Sequence, residues 1–285
     1  MKTLGIIANC SKPRAASVLE ALAQRAKELN LTLRASGETA SLMPGVNDES
    51  LADVFAASDA VVALGGDGTM LRAVRALQGL DKPLIGVNIG SLGFMTSVAE
   101  EDLSAALTCL RDETFSVSER VVADCVVNHA EGEARYCALN DIVVSNGPSA
   151  RVITLDVAIG GDSVTSYVCD GLIVSTPTGS TGHSLSAGGP ILTPVTRAFV
   201  ISLICPHTLS SRPLVIPDTS EIRISVSTPS AAVRLSVDGQ VGLELHDGNS
   251  LTVRRCEQPV RFLHLPGYNY FEVLRKKLRW SGSNL

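Results

Sequence analysis

A glycine-rich segment between two apolar stretches restricts the fold of this chain more than any other feature. The segment Gly65–Thr69 reads Gly-Gly-Asp-Gly-Thr and follows Ala60–Leu64, a continuous apolar run typical of a strand buried on both faces. Met70–Leu77 comes next, with the apolar spacing of a helix. A strand, a glycine turn and a helix in this order predict one unit of a parallel α/β sheet.

The rest of the first 114 residues continues this alternation. It contains further predicted strands and helices: Thr3–Ala8, Leu31–Ala35 and Pro83–Asn88 as strands, and Ala15–Leu29 and Glu101–Arg111 as helices. Alternation of this kind favours parallel strands with helices on both faces, a Rossmann-like arrangement. Because ligands of such sheets bind at the carboxyl ends of the strands, we expect the turn at Asp67 and the loop Asn88–Phe94 to line one crevice.

The pattern changes after residue 114, where short alternating runs rich in Val, Ile and Ser predict antiparallel β structure resembling a sandwich. The runs include Arg120–Val127, Tyr136–Val144, Val152–Ile159, Glu221–Ser227 and Ala232–Val237. The final segment turns helical again. We therefore predict an α/β domain over residues 1–114, a β-rich domain over 115–265, and a C-terminal helix in 266–285 that returns to the N-terminal domain.

Composition narrows the class of ligand and the compartment. The net charge of −5 provides no basic field for nucleic acid, and no apolar run approaches the length of a membrane span. The chain starts without the basic and apolar pattern of a secretion signal. Its seven cysteines are scattered without metal-ligand spacing and are typical of buried thiols in a reducing compartment. We expect a cytoplasmic protein that binds small molecules, with neither nucleic acid nor a membrane as partner.

The carboxylate inside the glycine turn indicates chemistry. Gly65, Gly66 and Thr69 form a turn whose backbone N–H groups suit a phosphate. Asp67 would repel that phosphate, so it predicts either a bridging divalent metal or a hydroxyl group whose proton it accepts. Phosphoryl transfer to an alcohol supplies both and favours a kinase. The alternative is a tight Gly-Asp-Gly turn without a ligand.

A second unusual segment, Thr178–Ser186, follows the predicted strand Gly171–Ser175 and is crowded with hydroxyl groups and glycines. Such density suits a ligand that carries both hydroxyl groups and phosphates. A flexible linker is the alternative, but Pro177 and Pro190 stiffen the stretch.

Six motifs together closely resemble the NAD kinase family over nearly the whole chain: Gly65–Thr69, Asn88–Phe94, Asn140–Asp141, Thr178–Ser186, Cys205–Leu209 and Asp238–Gln240. The resemblance implies transfer of a phosphoryl group from ATP, or from polyphosphate, to the 2′-hydroxyl of the adenosine ribose of NAD. The product is NADP. It further implies a divalent cation, Mg²⁺, and a homodimer or homotetramer.

The family's functional residues carry over to matching positions here. Asp67 matches the proton acceptor, next to Gly68, and Arg72 matches a basic nucleotide contact. Asn140 and Asp141 match the pair that binds the adenosine part of NAD. No set of metal ligands is assigned among the side chains. The alternatives are an ordinary surface arginine for Arg72 and a simple turn for Asn140–Asp141.

Further ligand contacts are implied in the second half of the chain. Asp170 matches a contact to the nicotinamide ribose, and Arg151 and Gln240 match other ligand contacts, although Gln240 could equally be a hairpin-turn residue. The adenine and ribose loop corresponds to six consecutive residues, Thr181, Gly182, His183, Ser184, Leu185 and Ser186.

Two positions depart from the family pattern. His183 stands where the family usually has tyrosine, so a smaller ring is available to stack on adenine and we expect altered NAD affinity. Val168 stands at a ligand-contact position that is often basic or histidine, which leaves the preference between NAD and NADH open.

Two other functions are compatible with part of the pattern. A lipid kinase of the diacylglycerol type shares the glycine turn, but it would need an apolar groove or a basic surface that faces a membrane. A catalytically silent NAD(P) sensor would keep the pocket without the reaction. The sequence does not distinguish ATP from polyphosphate as the donor.

Overall fold

The computed structural model describes residues 1–90, 93–129, 132–147, 151–228 and 233–280. They form two compact units: unit 1 comprises residues 1–119 and the segment that begins at Val260, and unit 2 comprises Arg120–Pro259. Ser91 and Leu92 of the loop Asn88–Phe94, Ala232 of one predicted strand, and residues 281–285 of the predicted C-terminal segment lie outside the described residues.

The first part of the chain alternates strands and helices, as its sequence predicts. The strands are β1 (Thr3–Ala8), β2 (Thr32–Ala35), β3 (Ala60–Gly65), β4 (Leu84–Asn88), β5 (Val98–Ala99) and β6 (Ser116–Arg120). The helices are α1 (Ala15–Glu28), α2 (Gly37–Ser41), α3 (Leu51–Ala56), α4 (Asp67–Leu77) and α5 (Leu103–Asp112).

The regular secondary structure of the second part consists almost entirely of strands. Its strands are β7 (Ala123–His129), β8 (Gly132–Ala138), β9 (Asp141–Asn146), β10 (Ile153–Ile159), β11 (Asp162–Cys169), β12 (Gly171–Ser175), β13 (Ala198–Ile204), β14 (Leu214–Pro217), β15 (Ile222–Val226), β16 (Val233–Val237), β17 (Val241–Leu245) and β18 (Ser250–Arg255). It contains one short α-helix in its described part, α6 (His183–Ser186). The chain ends with β19 (Val260–His264) and α7 (Tyr270–Leu278). Within the described ranges, no helix is long and apolar enough to cross a bilayer.

Unit 1 is built on a sheet with the strand order β2-β1-β3-β4-β19-β6, and β5 pairs with β4. Neighbours from β2 to β4 are parallel, and β19 is parallel to β4. Every residue of β3 and β4 is buried, as expected for parallel strands covered on both faces. The prediction of a parallel α/β domain is confirmed.

Unit 2 consists of two six-stranded antiparallel sheets, β11-β10-β15-β18-β7-β8 and β14-β13-β12-β9-β16-β17. Alternate residues of both sheets enter one apolar core, for example Leu155 of β10 from the first sheet and Leu172 and Val174 of β12 from the second. This is the sandwich arrangement that the alternating runs predict.

The structure differs from the sequence prediction at three strand segments. The predicted strand Tyr136–Val144 is interrupted, because β8 ends at Ala138 and β9 begins at Asp141. The predicted domain limits 115 and 265 lie outside unit 2, since β6 and β19 join the sheet of unit 1. A strand of five residues carries too little periodicity to show which sheet it joins.

The cysteines are less uniform than expected. Cys125 and Cys169 are buried, but Cys137 and Cys205 are exposed, and Cys10, Cys109 and Cys256 are half-buried. The expectation of buried thiols is therefore correct for two of the seven.

Candidate active site

The glycine turn lies at the predicted junction of a strand and a helix. Strand β3 ends at Gly65, Gly66 precedes the helix, and α4 begins at Asp67. The first N–H groups of a helix have no partner within the helix, so this end can receive a phosphate. A Cβ atom at Gly65 would overlap Oγ1 of Thr69, so only glycine lets Thr69 pack under the turn.

Asp67 connects this turn to the loop after β4. Strands β3 and β4 are parallel neighbours that pair Gly65 with Asn88, so both loops leave the same edge of the sheet. The Asp67 carboxylate accepts hydrogen bonds from the backbone N–H groups of Phe94 and Met95, both at 2.9 Å. An ionised carboxylate has about four lone-pair sites, so Asp67 can accept further hydrogen bonds while it is held in this way.

Gly93 is a site residue that the sequence reasoning missed. A Cβ atom there would overlap Oδ1 of Asp67 and would lie 2.7 Å from Oγ1 of Thr96. The Gly93 N–H donates to that threonine hydroxyl at 3.2 Å, which fixes the loop beside the carboxylate. The second glycine of the loop motif was the signal available in the sequence.

Basic side chains lie close to the turn. Arg72, on an exposed face of α4, donates from Nη2 to the carbonyl oxygen of Ala8 at the end of β1. This bond engages one donor of a guanidinium group that has five. Lys12, which the sequence did not single out, has its Nζ 3.8 Å from the position of a Cβ atom at Gly90. The positively charged side chains of Arg72 and Lys12 both lie at the edge of the sheet where phosphate would bind.

In unit 2, the turn before β9 is held by a carboxylate that the sequence prediction did not assign. Asp238 accepts hydrogen bonds from the backbone N–H groups of Leu139 at 2.9 Å, Asn140 at 2.7 Å and Asp141 at 3.1 Å. Its own backbone has φ +51°, an uncommon value outside glycine. Asp238 therefore ends β8, sets the turn and starts β9.

Two acceptor groups in this turn are buried, and burial affects each of them differently. Burial raises the pKa of the Asp141 carboxyl to about 7, and the nearby charge of Asp238 adds to the effect. The side-chain oxygen Oδ1 of Asn140 is buried and, among the described residues, has no hydrogen-bond partner. Buried polar atoms normally have partners, so a ligand with hydroxyl donors would relieve this cost.

The segment Thr178–Ser186 packs against the same turn. A Cβ atom at Gly179 would overlap the backbone carbonyl of Asn140, so the two segments are in direct contact. A short 3₁₀ turn, Gly179–Thr181, leads into α6, and the Ser180 hydroxyl donates to the carbonyl of Pro177 at 2.7 Å. These bonds describe an ordered turn, so the flexible-linker reading is wrong.

The predicted residues of this segment differ in how they can meet a ligand. Gly182, His183 and Ser186 are exposed, and Thr181 and Leu185 are half-buried. Ser184 is fully buried, with its hydroxyl 3.0 Å from that of Ser202. Its side chain therefore packs inside unit 2, and the assignment of Ser184 to the adenine and ribose loop stays a prediction.

Strand pairing gathers several predicted residues at one end of a sheet. Ser175 at the end of β12 pairs with Asp141, and Val237 at the end of β16 pairs with Ile142. At this end of the sheet lie the Asn140 turn, the segment Thr178–Ser186 and the hairpin that contains Gln240. Gln240 is exposed in that hairpin, so it is a turn residue that also faces solvent.

The remaining predicted residues lie elsewhere in unit 2. Asp170 precedes β12 at its opposite end, where Asn146 donates to it at 3.3 Å. Five residue steps separate Asp170 from Ser175, the strand partner of Asp141, which is about 17 Å at 3.3 Å per residue. Val168 is exposed on β11, and Arg151 is exposed just before its partner strand β10. Asp170, Val168 and Arg151 therefore lie near the start of β12, at the opposite end of this strand from Asn140.

The turn at Asp67 is compatible with a hydrated magnesium ion. Among the described residues, Asp67 belongs to no cluster of three or more metal-ligating side chains. Mg²⁺ commonly takes one or two carboxylates from the protein and its other ligands from substrate phosphates and water. A single carboxylate beside a phosphate turn fits that requirement.

Comparison with known proteins matches both units to one family. Residues 4–115 match the family model of the ATP-NAD kinase N-terminal domain, and residues 139–265 match that of the ATP-NAD kinase C-terminal domain. The NAD kinase of Moorella thermoacetica is 39% identical over 287 residues, which cover 99% of this chain and 91% of the relative.

Two solved structures share the fold. Yeast NADH kinase complexed with NADH aligns with a TM-score of 0.92 and 24% identity, over 100% of this chain and 89% of the other. An NAD kinase from Archaeoglobus fulgidus in complex with ATP aligns with a TM-score of 0.78 and 24% identity, over 99% of this chain and 100% of the other.

Proposed function

Because this chain belongs to the NAD kinase family, we propose that it phosphorylates the 2′-hydroxyl of the adenosine ribose of NAD with ATP as the donor, which yields NADP. The enzyme class is a phosphotransferase with an alcohol group as acceptor. The resemblance read from the six motifs is confirmed. A lipid kinase and a silent sensor are not favoured, because the matched family models cover both units and relatives across the full chain are NAD kinases.

One observation carries the proposed mechanism: Asp67 is held by two backbone N–H groups at the end of a phosphate turn. The start of α4 binds phosphate oxygens, and Arg72 adds positive charge beside them. The Asp67 carboxylate then orients the ribose hydroxyl and accepts its proton as transfer proceeds. Because the transition state of phosphoryl transfer is loose, alignment and charge neutralisation supply most of the catalysis.

The acceptor is bound by the residues around the Asn140 turn. Asn140 and Asp141 offer a buried carbonyl and a buried carboxyl to ribose hydroxyl groups. Gln240 and the exposed residues of the segment Thr178–Ser186 provide further polar contacts. His183 supplies an imidazole where the family usually has a phenol ring, so adenine stacking is weaker and NAD binds with lower affinity than in relatives with tyrosine.

A divalent cation, Mg²⁺, would arrive with the nucleotide phosphates, be held by Asp67 and neutralise charge that develops during transfer. Asp67 then stands next to both the cation and the acceptor hydroxyl. This arrangement would explain why a carboxylate, which repels phosphate, lies in a turn that binds phosphate.

We also propose that the enzyme works in the cytoplasm, contributes to NADP biosynthesis and is a homodimer or homotetramer. Asp170, Val168 and Arg151 lie at the other end of β12 from Asn140, a position suited to contact the ligand of a neighbouring subunit. Mixing Asp67→Asn with Asp170→Asn tests this, because mixed oligomers contain sites with both carboxylates. Recovery of activity above either variant alone supports shared sites, and additive low activity contradicts them.

A panel of donors and acceptors tests the function. The pure chain is incubated with NAD, NADH or diacylglycerol, with ATP or polyphosphate, and with or without Mg²⁺, and NADP is measured with a coupled dehydrogenase. We expect Mg²⁺-dependent NADP formation from NAD and ATP. Tight NAD binding without NADP formation would identify a sensor, and phosphorylation of diacylglycerol alone would identify a lipid kinase.

A further inference from the structure

A second group of reactive side chains lies in unit 2, on the sheet that contains β7, β8 and β18. Asp124 of β7 pairs in register with Cys137 of β8. Cys256 follows the end of β18, and its N–H donates to the carbonyl of Val122 at 2.8 Å. Strand pairing therefore brings together two cysteines that are 119 residues apart.

The spacing of the ligand atoms suits a single metal ion. The two sulfur atoms are 3.8 Å apart, and both lie within 4.8 Å of a carboxylate oxygen of Asp124. Two thiolates bound tetrahedrally to Zn²⁺ at about 2.3 Å are separated by about 3.8 Å. A disulfide would require the sulfurs to approach to about 2.0 Å.

The charges around the cluster are balanced for a divalent cation. Arg135 donates to the Asp124 carboxylate from Nε at 2.6 Å and from Nη2 at 2.9 Å, which fixes the orientation of that ligand. Two thiolates and one carboxylate are offset by one guanidinium and one divalent ion. Cys137 is exposed and Cys256 half-buried, so solvent can supply the fourth ligand.

We propose that Asp124, Cys137 and Cys256 bind a thiophilic divalent cation, Zn²⁺, which ties β8 to the end of β18. Thiolate ligands favour zinc over magnesium, so this site is separate from the cation that accompanies the nucleotide phosphates. It is a structural metal site of unit 2, and its role is to join strands that flank β7.

Metal binding by the full chain tests this proposal directly. The reduced, metal-free protein is titrated with Co²⁺ alone, and the thiolate-to-cobalt absorption is recorded before displacement by Zn²⁺. We expect one ion per chain and a strong absorption band. Cys137→Ser and Cys256→Ser should each weaken Co²⁺ binding by about 10²-fold or more, beyond the 10- to 100-fold loss typical of outer-shell partners. The control Cys109→Ser, a half-buried thiol on α5, should match the wild type.

Thermal unfolding gives a second readout. Zn²⁺ should raise the melting temperature of the wild type and of Cys109→Ser but not that of Cys137→Ser, because only a bound ligand stabilises the folded state. NADP formation by each variant checks its folding. Two results would overturn the proposal. One is an absorption band that survives in both Cys137→Ser and Cys256→Ser, and the other is a Cys137–Cys256 disulfide without retained metal. Neither result bears on the kinase reaction.

Discussion

At the scale of single residues, Asp67 depends on a neighbour that has no side chain. Its carboxylate occupies the space that a Cβ atom of Gly93 would take, and it bonds to the N–H groups of the next two residues. The Asp67 carboxylate is therefore positioned by backbone atoms of a loop that lies 26 residues further along the chain. In the reaction we propose, the geometry of this loop sets the position of the base.

Gly93→Ala should displace the Asp67 carboxylate and lower turnover by about 10²-fold, the size of effect expected when a reacting group is misplaced by about 1 Å. Steady-state kinetics with NAD and ATP measures it. Gly242→Ala on β17 is the matched control, because the nearest atom to the new Cβ, Nη2 of Arg234, would be 3.8 Å away. Equal activities of the two variants would show that Gly93 does not position the base.

Asp141 makes stability depend on pH. Its pKa is about 7 in the folded chain against 3.8 for an ordinary aspartate, so the folded state holds the proton more tightly. The stabilisation is complete below about pH 4 and is lost as the pH rises to about 7, by about 1.4 kcal/mol of unfolding free energy per pH unit.

Urea unfolding of unit 2 between pH 4 and 8 measures this contribution as the difference between the wild type and Asp141→Asn. The difference should change between about pH 4 and 7 and level off above about pH 7. Asp162→Asn, at an exposed hairpin residue, should keep the wild-type profile. A constant difference between the wild type and Asp141→Asn would contradict the raised pKa.

At the scale of elements, Asp238 explains why the segment predicted as one strand forms parts of two strands in the structure. The run Tyr136–Val144 has the composition of a single strand, but the Asp238 carboxylate accepts three backbone N–H groups at Leu139, Asn140 and Asp141. These bonds come from a residue about 100 positions away, so local periodicity could not reveal them. The same interruption places Asn140 and Asp141, the two residues that the family motif assigns to NAD, at the turn between β8 and β9.

Asp238→Ala should destabilise unit 2 by at least about 2 kcal/mol, because hydrogen bonds to a charged acceptor contribute about 1.5–3 kcal/mol each. It should also raise the KM for NAD more than it lowers kcat, since the turn that holds the acceptor loosens. Thermal unfolding and steady-state kinetics measure both. Asp247→Ala, in an exposed turn, is the control. A variant with lowered kcat and unchanged KM would assign Asp238 to the chemistry instead.

At the scale of the whole molecule, the chain leaves unit 1 and returns to it. Strand β19 lies between β4 and β6 in the sheet, and its Phe262 and Leu263 are each 1% exposed. Unit 2 is continuous in sequence, from Arg120 to Pro259. The two units therefore differ in what they need in order to fold.

Residues 120–259 expressed alone should fold and unfold cooperatively on heating. Residues 1–119 alone should not, because the sheet lacks β19 and leaves an edge of β4 and of β6 without its partner. Joining 1–119 to 260–280 through a short Gly-Ser linker should restore a cooperative transition. Circular dichroism against temperature distinguishes these fragments, and cooperative unfolding of 1–119 alone would contradict the role of β19.

The sequence predicted both fold classes because alternating strand and helix signals and short alternating runs are local properties. It also predicted that the Asp67 turn and the loop Asn88–Phe94 meet, since both follow neighbouring parallel strands. It placed Gly93 and Asp238 inside two of the motifs but could not assign their roles, because these roles arise from contacts between distant segments. For the same reason it treated Cys137 and Cys256 as unrelated thiols and could not show that the Ser184 hydroxyl is buried beside that of Ser202.

In the proposed reaction, Asp67 accepts the proton of the ribose hydroxyl. Asp67→Asn, compared with the exposed Asp102→Asn, tests it by calorimetry of NAD binding and by single-turnover NADP formation. We expect near-normal NAD affinity and a rate lowered by about 10²–10⁴-fold, the range typical of general-base removal. A rate close to that of Asp102→Asn would contradict it.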